Sequence, residues 1–484
     1  MDRSMSLRIR LGNCDKTQTE SSNNLLNVIY DKNNCLIEAN KDLIQYNIGL
    51  NKNLFVFGKI IGIKVSDTKL IGVSNKLSEE IAKSFSDLDI ENAIKKIEGR
   101  FIYIYVNGSY IKIGTDSLSQ IDLYYQREKD GISLSSHLGL LPFIKDDDIA
   151  YDQVGAAHAL YIYGYRPAKK HTIYKKVKRL GVHERVEWKN EKFSLVKEKN
   201  VLHNTFEFDL KEQHDTYANL FLDAIEKRSS TKGNIVYLSS GWDSTSILAA
   251  LVHMYGANKT RAVIGRMHFS KEAGICNPYE ITRAQKMADY FGVKLEIVEF
   301  DYYKRGPELT EKYSDFMKNQ MVTSMSLYQW LDLASYVAAT SNGEAVFSGE
   351  ISDGVHNFGF SQSLTVLDHP VHEFREYSDK MATYLYGPTF LKTILDGSFE
   401  SDSIYNFLKN RYEGGIFDSP STDKTKNIKK LLSSMFLRDV RLPFWSLENS
   451  SYFTKKGREF YQTEMSKSYL DEVASEVTTN NLYS

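Results

Sequence analysis

The stretch Ile235-Val-Tyr-Leu-Ser-Ser-Gly-Trp-Asp-Ser-Thr-Ser246 constrains the fold of this chain more than any other segment. Four β-prone residues run into a small polar turn. A helical pattern (Ile247, Leu248, Leu251, Val252) follows at once and closes near Gly256. A strand that feeds a helix through Ser239, Ser240 and Gly241 sets backbone N–H groups without helical partners at the positive end of a helix dipole. Such a turn suits an anion. Asp243 adds a carboxylate, which fits an anionic ligand when Mg²⁺ bridges the two. No Gly-Lys-Ser/Thr follows, so this is not a Walker loop, and an ordinary βα turn in an α/β domain is the plain alternative.

The surrounding pattern predicts which sheet carries that turn. From Asn204 onward strand and helix signals alternate: helix Glu212–Lys227, strand Asn234–Leu238, strand Arg261–Met267, and an amphipathic helix Tyr279–Tyr290 closed by Gly292. Strand Lys294–Phe300, helix Leu327–Ala339 and strand Glu344–Ser348 complete it. That order predicts an α/β fold, a doubly wound parallel sheet with ligands at the carboxyl ends of its strands. The first 200 or so residues read instead as β-rich. Short segments at Leu25–Tyr30, Leu54–Val65, Phe101–Val106, Tyr110–Ile113 and Ile132–Ser135 are parted by turn residues. Helical patterns interrupt them around Ser78–Phe85 and Asp152–Leu160. From about Phe374 the patterns are helical with charged linkers such as Ser419–Lys430, predicting a helical C-terminal region. Two domains are expected, 1–203 and 204–484, each long enough for its own core.

Bulk charge excludes several function classes. A net charge of −1 over 484 residues exerts no general pull toward nucleic acid or an anionic membrane. The basic run Lys169–Arg179 alternates with β-formers and is expected to be a solvated hairpin. Cys14, Cys35 and Cys276 are scattered, so neither a disulfide framework nor a zinc site is expected, and a reducing, cytoplasmic setting follows as the default. Phe101–Val106 is too short to span a bilayer, and Arg3, Arg8 and Arg10 precede no signal-type apolar stretch. The histidines show no metal-ligand spacing.

A second turn answers the first. Val346-Phe-Ser348-Gly349-Glu350-Ile-Ser-Asp353-Gly354 ends a strand with small residues and two carboxylates. In a parallel sheet the strands before Asp243 and Asp353 end at one edge, so two aspartates 110 positions apart can converge on one Mg²⁺ and its phosphates. Glu350 then lies where it can accept a proton or orient an incoming amine. A solvated turn whose acidic residues cap a helix is the alternative.

The first turn resembles the Ser-Gly-Gly-x-Asp-Ser pyrophosphate loop of asparagine synthetases and related ATP pyrophosphatases, with Ser240 in place of the first Gly. The second is similar to their Ser-Gly-Glu-Gly-Ala-Asp-Glu motif, departing at Ile351, Ser352 and Gly354. Gly99-Arg-Phe, Asp116, Leu123-Tyr-Tyr and Ser135-Ser136-His137 resemble the family's N-terminal domain. Gly164-Tyr-Arg-Pro through Leu180 and Arg441-Leu-Pro443-Phe444 resemble later segments in the right order. The resemblance implies an Ntn glutaminase-like α+β domain over 1–203 and an ATP pyrophosphatase domain of PP-loop type over 204–484. It implies ATP and Mg²⁺ as cofactors, with Asp243 and Asp353 on magnesium pyrophosphate and Glu350 catalytic. It also implies that Leu238, Ile264 and Gly265 cradle adenine through backbone groups, while Ser239, Ser240, Gly241, Ser244 and Gly349 line the phosphates. In such chemistry ATP adenylates a carboxylate, and an amine then attacks to give an amide, AMP and pyrophosphate.

Two departures shape the expected activity. Glutamine-hydrolysing members use a cysteine at residue 2, where this chain has Asp2, and no His-Arg-Gly-Pro-Asp-like segment is present. The N-terminal domain is therefore expected to be a scaffold that releases no ammonia from glutamine, as in β-lactam synthetases and lasso-peptide cyclases. The family's Lys-x-x-Leu-Arg-Glu helix is echoed by Lys467-Ser-Tyr-Leu470-Asp-Glu472, but no Arg-x-Lys follows before Ser484. A cation opposite developing charge is worth roughly a hundred- to thousandfold in rate. Lys467 is the candidate, with Lys455, Lys456 or a partner protein as substitutes.

The expectation is an amide synthetase taking small-molecule or peptide carboxylate and amine substrates, in specialised-metabolite, lactam-peptide or surface-sugar biosynthesis. An ammonia-dependent asparagine synthetase and a non-catalytic partner subunit remain open beside it. Neither nucleic acid nor membrane is expected as a partner, whereas a homodimer or a pathway partner protein is compatible. Trp242 is expected to fill space beneath its loop rather than stack on adenine, and Tyr279 and Arg283 to lie on one face of the helix after the second strand.

Overall fold

The computed structural model describes residues 6–13, 26–40, 43–49, 51–66, 69–72, 90–142, 150–157, 159, 166–167, 170–197, 210–239, 241–268, 270–271, 274–324, 327–350 and 398–401. By its contacts the chain groups into two units, one of Met1–Tyr151 with Lys170–Glu350, the other of Asp152–Lys169 with Ile351–Ser484.

Alternation of apolar and polar residues sorts the first part of the larger unit into two antiparallel sheets. Its strands begin with β1 (Leu7–Gly12), β2 (Asn27–Lys32), β3 (Cys35–Ala39), β4 (Leu43–Gly49), β5 (Lys52–Ser66) and β6 (Lys69–Gly72). Helix α1 (Ile90–Lys96) leads into β7 (Ile97–Asn107), β8 (Tyr110–Thr115), β9 (Tyr124–Arg127) and β10 (Gly131–Ser135). After β11 (Val177–Arg179) come β12 (Glu184–Lys189) and β13 (Lys192–Lys197). One sheet has the order β11-β9-β10-β1-β3-β2 and the other β13-β12-β8-β7-β5-β4, with β6 also on β5. Two-residue turns close β2–β3 and β12–β13: Asn33 and Asn34, then Asn190 and Glu191, all hold positive φ, as a primed hairpin turn requires.

Leu7, Ile9 and Leu11 face inward and meet Phe55, Phe57, Ile102, Ile104 and Trp188 in one core. Cys35 belongs to it, and burial with the nearby Asp31 carboxylate pushes its thiol up to about 12. On the other face of the second sheet, Leu54, Val56, Phe101 and Tyr103 pack against Ala93 of α1 and Ile97.

Asp116 ties the end of β8 to β7. Its buried carboxylate accepts the N–H groups of Phe101 at 3.3 Å, Leu118 at 3.0 Å and Gln120 at 3.2 Å. Burial pushes this carboxyl up against the pull of those bonds.

The basic run Lys169–Arg179 is not the solvated hairpin expected of it. Pairing of β11 with β9 turns alternate residues inward. Val177 packs with Tyr124 and Leu138, and Arg179 is fully buried, its guanidinium on Asp122 at 3.4 Å and the His171 carbonyl at 3.2 Å. Lys175 and Lys176 remain outside.

The smaller unit includes α2 (Gln153–Ala157), where Asp152 accepts the Gly155 N–H at 3.1 Å, and a 3-10 turn Phe399–Ser401. Apart from residues 398–401, the helical region expected from about Phe374 lies outside the described residues, as does the pattern at Ser78–Phe85.

The rest of the larger unit is the parallel sheet. Helix α3 (Leu210–Arg228) precedes β14 (Asn234–Tyr237), α4 (Trp242–Tyr255), β15 (Thr260–His268), α5 (Pro278–Phe291) and β16 (Lys294–Asp301). Then follow α6 (Tyr302–Asn319), α7 (Leu327–Thr340) and β17 (Ala345–Ser348). The strand order is β16-β15-β14-β17, with every pairing parallel. On one face Leu238, Ala262 and Ile264 meet residues of α3, α4 and α5, among them Ile225, Leu248, Leu251 and Ala284. On the other, Ile235, Val263 and Phe300 meet Leu333 and Val337 of α7. The sheet is doubly wound, and its order reverses between β14 and β17. Sequence patterning missed α6, which contains Gly306 and Pro307; Asp301 caps it by accepting the Lys304 N–H at 3.1 Å. Among the described residues no helix is long and apolar enough to cross a membrane.

Replacing Asp116 with alanine leaves three backbone N–H groups without their acceptor. It should lower stability by about 1–3 kcal/mol in urea unfolding.

Candidate functional site

At the reversal point the strand β14 ends and its chain turns away. Tyr237 pairs with Val263 on one side and Ser348 on the other, and the buried Leu238 still donates its N–H to the Val263 carbonyl at 2.9 Å. Two serines then shape the turn. The Ser239 N–H donates to Ser244 Oγ at 3.1 Å, the two hydroxyls lie 2.9 Å apart, and Gly241 N–H donates to Ser239 Oγ at 3.2 Å. Ser244, which is buried, therefore serves as an internal staple. Gly241 caps α4 in an extended conformation (φ −83°, ψ 165°) with no side-chain hydrogen bond. No cap side chain covers the first-turn N–H groups, and that leaves the helix end suited to an anion. Asp243 stands half-buried in this first turn. Ser240 lies outside the described residues.

The turn after β17 meets it directly. A Cβ on Gly349 would lie 2.7 Å from the Ser244 backbone nitrogen and 3.0 Å from Asp243 Cβ, so only glycine fits between them. Glu350 follows at the exposed rim, and its N–H donates to Ser348 Oγ at 3.2 Å. Asp353 and Lys467, like Lys455, Lys456 and Arg441–Phe444, lie outside the described residues. Among the described residues no group of three or more His, Cys, Asp or Glu side chains gathers as a metal site.

Trp242 does not fill space beneath the loop. It is 88% exposed, because as the first residue of α4 it points away from the sheet. Tyr279 is also exposed on the first turn of α5, with Arg283 over its ring at 5.6 Å.

Ile264 and Gly265 stand at the level where β14 ends. Ile264 is buried with Leu238 in one cluster and paired with Ile297, and at Gly265 the Phe300 ring takes the space of a side chain. Sequence reasoning missed Asn277. Its carboxamide donates to the Gly265 carbonyl at 2.8 Å and accepts the Met267 N–H at 3.0 Å. The visible signal was an Asn-Pro pair opening a helix.

A cavity of about 320 Å³ is lined by Val298 and Glu299 of β16 and by Arg305, Lys312, Asp332 and Tyr336 of α6 and α7, among others. Arg305 at 2.9 Å, Lys312 at 3.4 Å and Tyr313 at 3.3 Å converge there on the buried Asp332, which joins α6 to α7.

No protein-family model matches the chain, and no curated protein matches it. Among solved structures it is similar to glutamine-dependent NAD⁺ synthetase from Acinetobacter baumannii in complex with ADP, at 18% identity and TM-score 0.23, over 53% of this chain and 54% of that one. It is also similar to glutamine phosphoribosylpyrophosphate amidotransferase from B. subtilis complexed with ADP and GMP, at 10% identity and TM-score 0.24, over 60% and 59%. The chain thus spans under two thirds of each, and at these scores the likeness assigns neither family nor activity.

Gly349→Ala should destabilise the protein by about 1–3 kcal/mol through overpacking. Gly306→Ala in α6, where a Cβ meets open space, should be neutral or stabilising by up to about 1 kcal/mol. Chemical denaturation of the two variants checks the contrast.

Proposed function

We propose that this chain is an ATP-dependent, AMP-forming amide synthetase of asparagine synthetase-like type, which activates a carboxylate and couples it to an amine brought in as substrate. The observation that carries the reading is the seating of the Gly349 turn against the first turn of α4 at the reversal point of the parallel sheet. Two motifs more than a hundred residues apart in sequence are thereby brought to one edge, the edge where open α/β sheets bind their ligands.

In this reading Trp242 and Asp243 offer backbone N–H groups to the phosphates from a helix end with no side-chain cap. The oxygen donors of Asp243, together with Asp353, fit a hard cation, and they would hold Mg²⁺, which supplies charge neutralisation on the phosphates. Ser239 and Ser244 hold the loop in shape. Glu350, at the rim, accepts a proton from the attacking amine or orients it, and Lys467 is the candidate cation for the developing charge. A boundary near residue 203 would part a glutaminase-like scaffold from the synthetase portion.

The test is release of AMP and pyrophosphate from Mg·ATP with a panel of carboxylates and amines. Asp243→Ala should reduce it a hundredfold or more. Glu350→Gln should lower turnover about 10²–10⁴-fold while nucleotide still binds. Turnover indifferent to both changes overturns the reading.

A further inference from the structure

Strands β15 and β16 run on past the end of β14. The last β14 rung is Tyr237 with Val263, yet β15 and β16 stay paired through His268 and Asp301. The four residues beyond Ile264 carry His268 about 13 Å past the level of Leu238 at ~3.3 Å per residue. Ala262 and Ile264 pack against the cluster containing α4 and α5, whereas Val263 and Met267 belong to the opposite one. Alternation therefore puts His268 on the face that carries α4 and its phosphate-type turn.

His268 Nδ1 lies 3.2 Å from Asp301 Oδ1, and the same oxygen accepts the Lys304 N–H at 3.1 Å. Desolvation works to raise the Asp301 carboxyl, but the Lys304 N–H, the Lys304 ammonium and His268 outweigh it and hold it below the ordinary carboxylate range. Asp301 is thus an acceptor, so in the neutral imidazole Nδ1 carries the hydrogen and Nε2 carries the lone pair. The half-exposed Tyr303 ring packs at 5.6 Å and limits rotation of the imidazole. Among the described residues His268 Nε2 has no hydrogen-bond partner, and the side chain is 25% exposed. The neighbouring backbone groups are engaged: Asn277 holds the Gly265 carbonyl and the Met267 N–H, and the Cys276 N–H donates to the Met267 carbonyl at 2.8 Å.

We infer that His268 reads the base of the bound nucleotide, its Nε2 accepting a hydrogen bond from the 6-amino group of adenine and opposing the O6 acceptor of guanine, with Asp301 as the positioning residue that fixes the tautomer. The inference rests on the nucleotide site proposed above. A nucleoside triphosphate, with phosphates at one end and base at the other, is suited to reach from the turn after β14 toward the end of β15. A residue whose only part is to join β15 to β16 would affect all nucleotides alike.

The experiment is calorimetric titration of the full chain at pH 8 with Mg·ATP, Mg·GTP and the Mg complex of purine riboside triphosphate, which lacks the 6-amino group. Wild type should prefer ATP over both others by about tenfold or more, the worth of one hydrogen bond. His268→Phe should remove that preference by weakening ATP alone, and Asp301→Asn should narrow it. Equal affinity of wild type for ATP and purine riboside triphosphate needs no variant to fold, and it overturns the assignment of His268 while the phosphate site stands. An unchanged preference in His268→Phe does the same. Absence of binding by any of the three overturns the underlying nucleotide site, and this inference with it.

Discussion

One missing side chain lets two distant turns share the space at the end of β14. Gly349 comes within contact distance of the backbone at Asp243 and Ser244, closer than any larger residue permits. That approach depends on register: Asn234 pairs with Ala345 and Tyr237 with Ser348, four rungs that deliver Gly349 just past the strand end. A slip of one residue would turn Phe347 out of the cluster it shares with Leu248 and Leu251, and would carry Gly349 away from α4. Register, core and candidate site are therefore one constraint.

The two edges of the parallel sheet are built differently. At the edge where the strands begin, Arg261 is clamped by Glu296 at 2.7 Å and Glu344 at 3.2 Å, joining β15 to β16 and to the segment before β17. Thr340 and Tyr336 of α7 extend that network. At the edge where the strands end, the cap of α4 offers no side chain, Trp242 and Tyr279 stand in solvent, and Glu350 sits at the rim. Charged pairs also join the ends of β15 and β16, so it is at the end of β14 that the two edges differ.

Much of this was legible in sequence, because strand and helix periods and glycine stops report local geometry. Gly256 and Gly292 end helices as expected, and β14, β15 and β16 fall within two residues of their anticipated ends. What escaped needed tertiary information. Helix α6 was hidden by Gly306 and Pro307, residues tolerated there because Asp301 caps the helix and Leu309, Tyr313 and Met317 anchor it. The run ending at Arg179 looked solvated because charge dominated it, yet pairing with β9 buries alternate members and Asp122 answers the guanidinium. Trp242 looked like core because it is large and apolar, but its place at the first helical position turns it outward. The Asn277-Pro pair marks only a helix start, and the His268–Asp301 pair carries no motif; the bonds each makes become meaningful only once β15 is seen to outrun β14.

The central claim is that a nucleotide's phosphates lie in the angle between the α4 end and the turn after β17. A crystal structure of the protein with Mg²⁺ and a non-hydrolysable ATP analogue tests it most directly. The account predicts phosphate oxygens on the backbone N–H groups of Trp242 and Asp243, beside Gly349. Phosphates seated elsewhere, for example on Arg305 and Lys312 in the cavity beside α6, would contradict it.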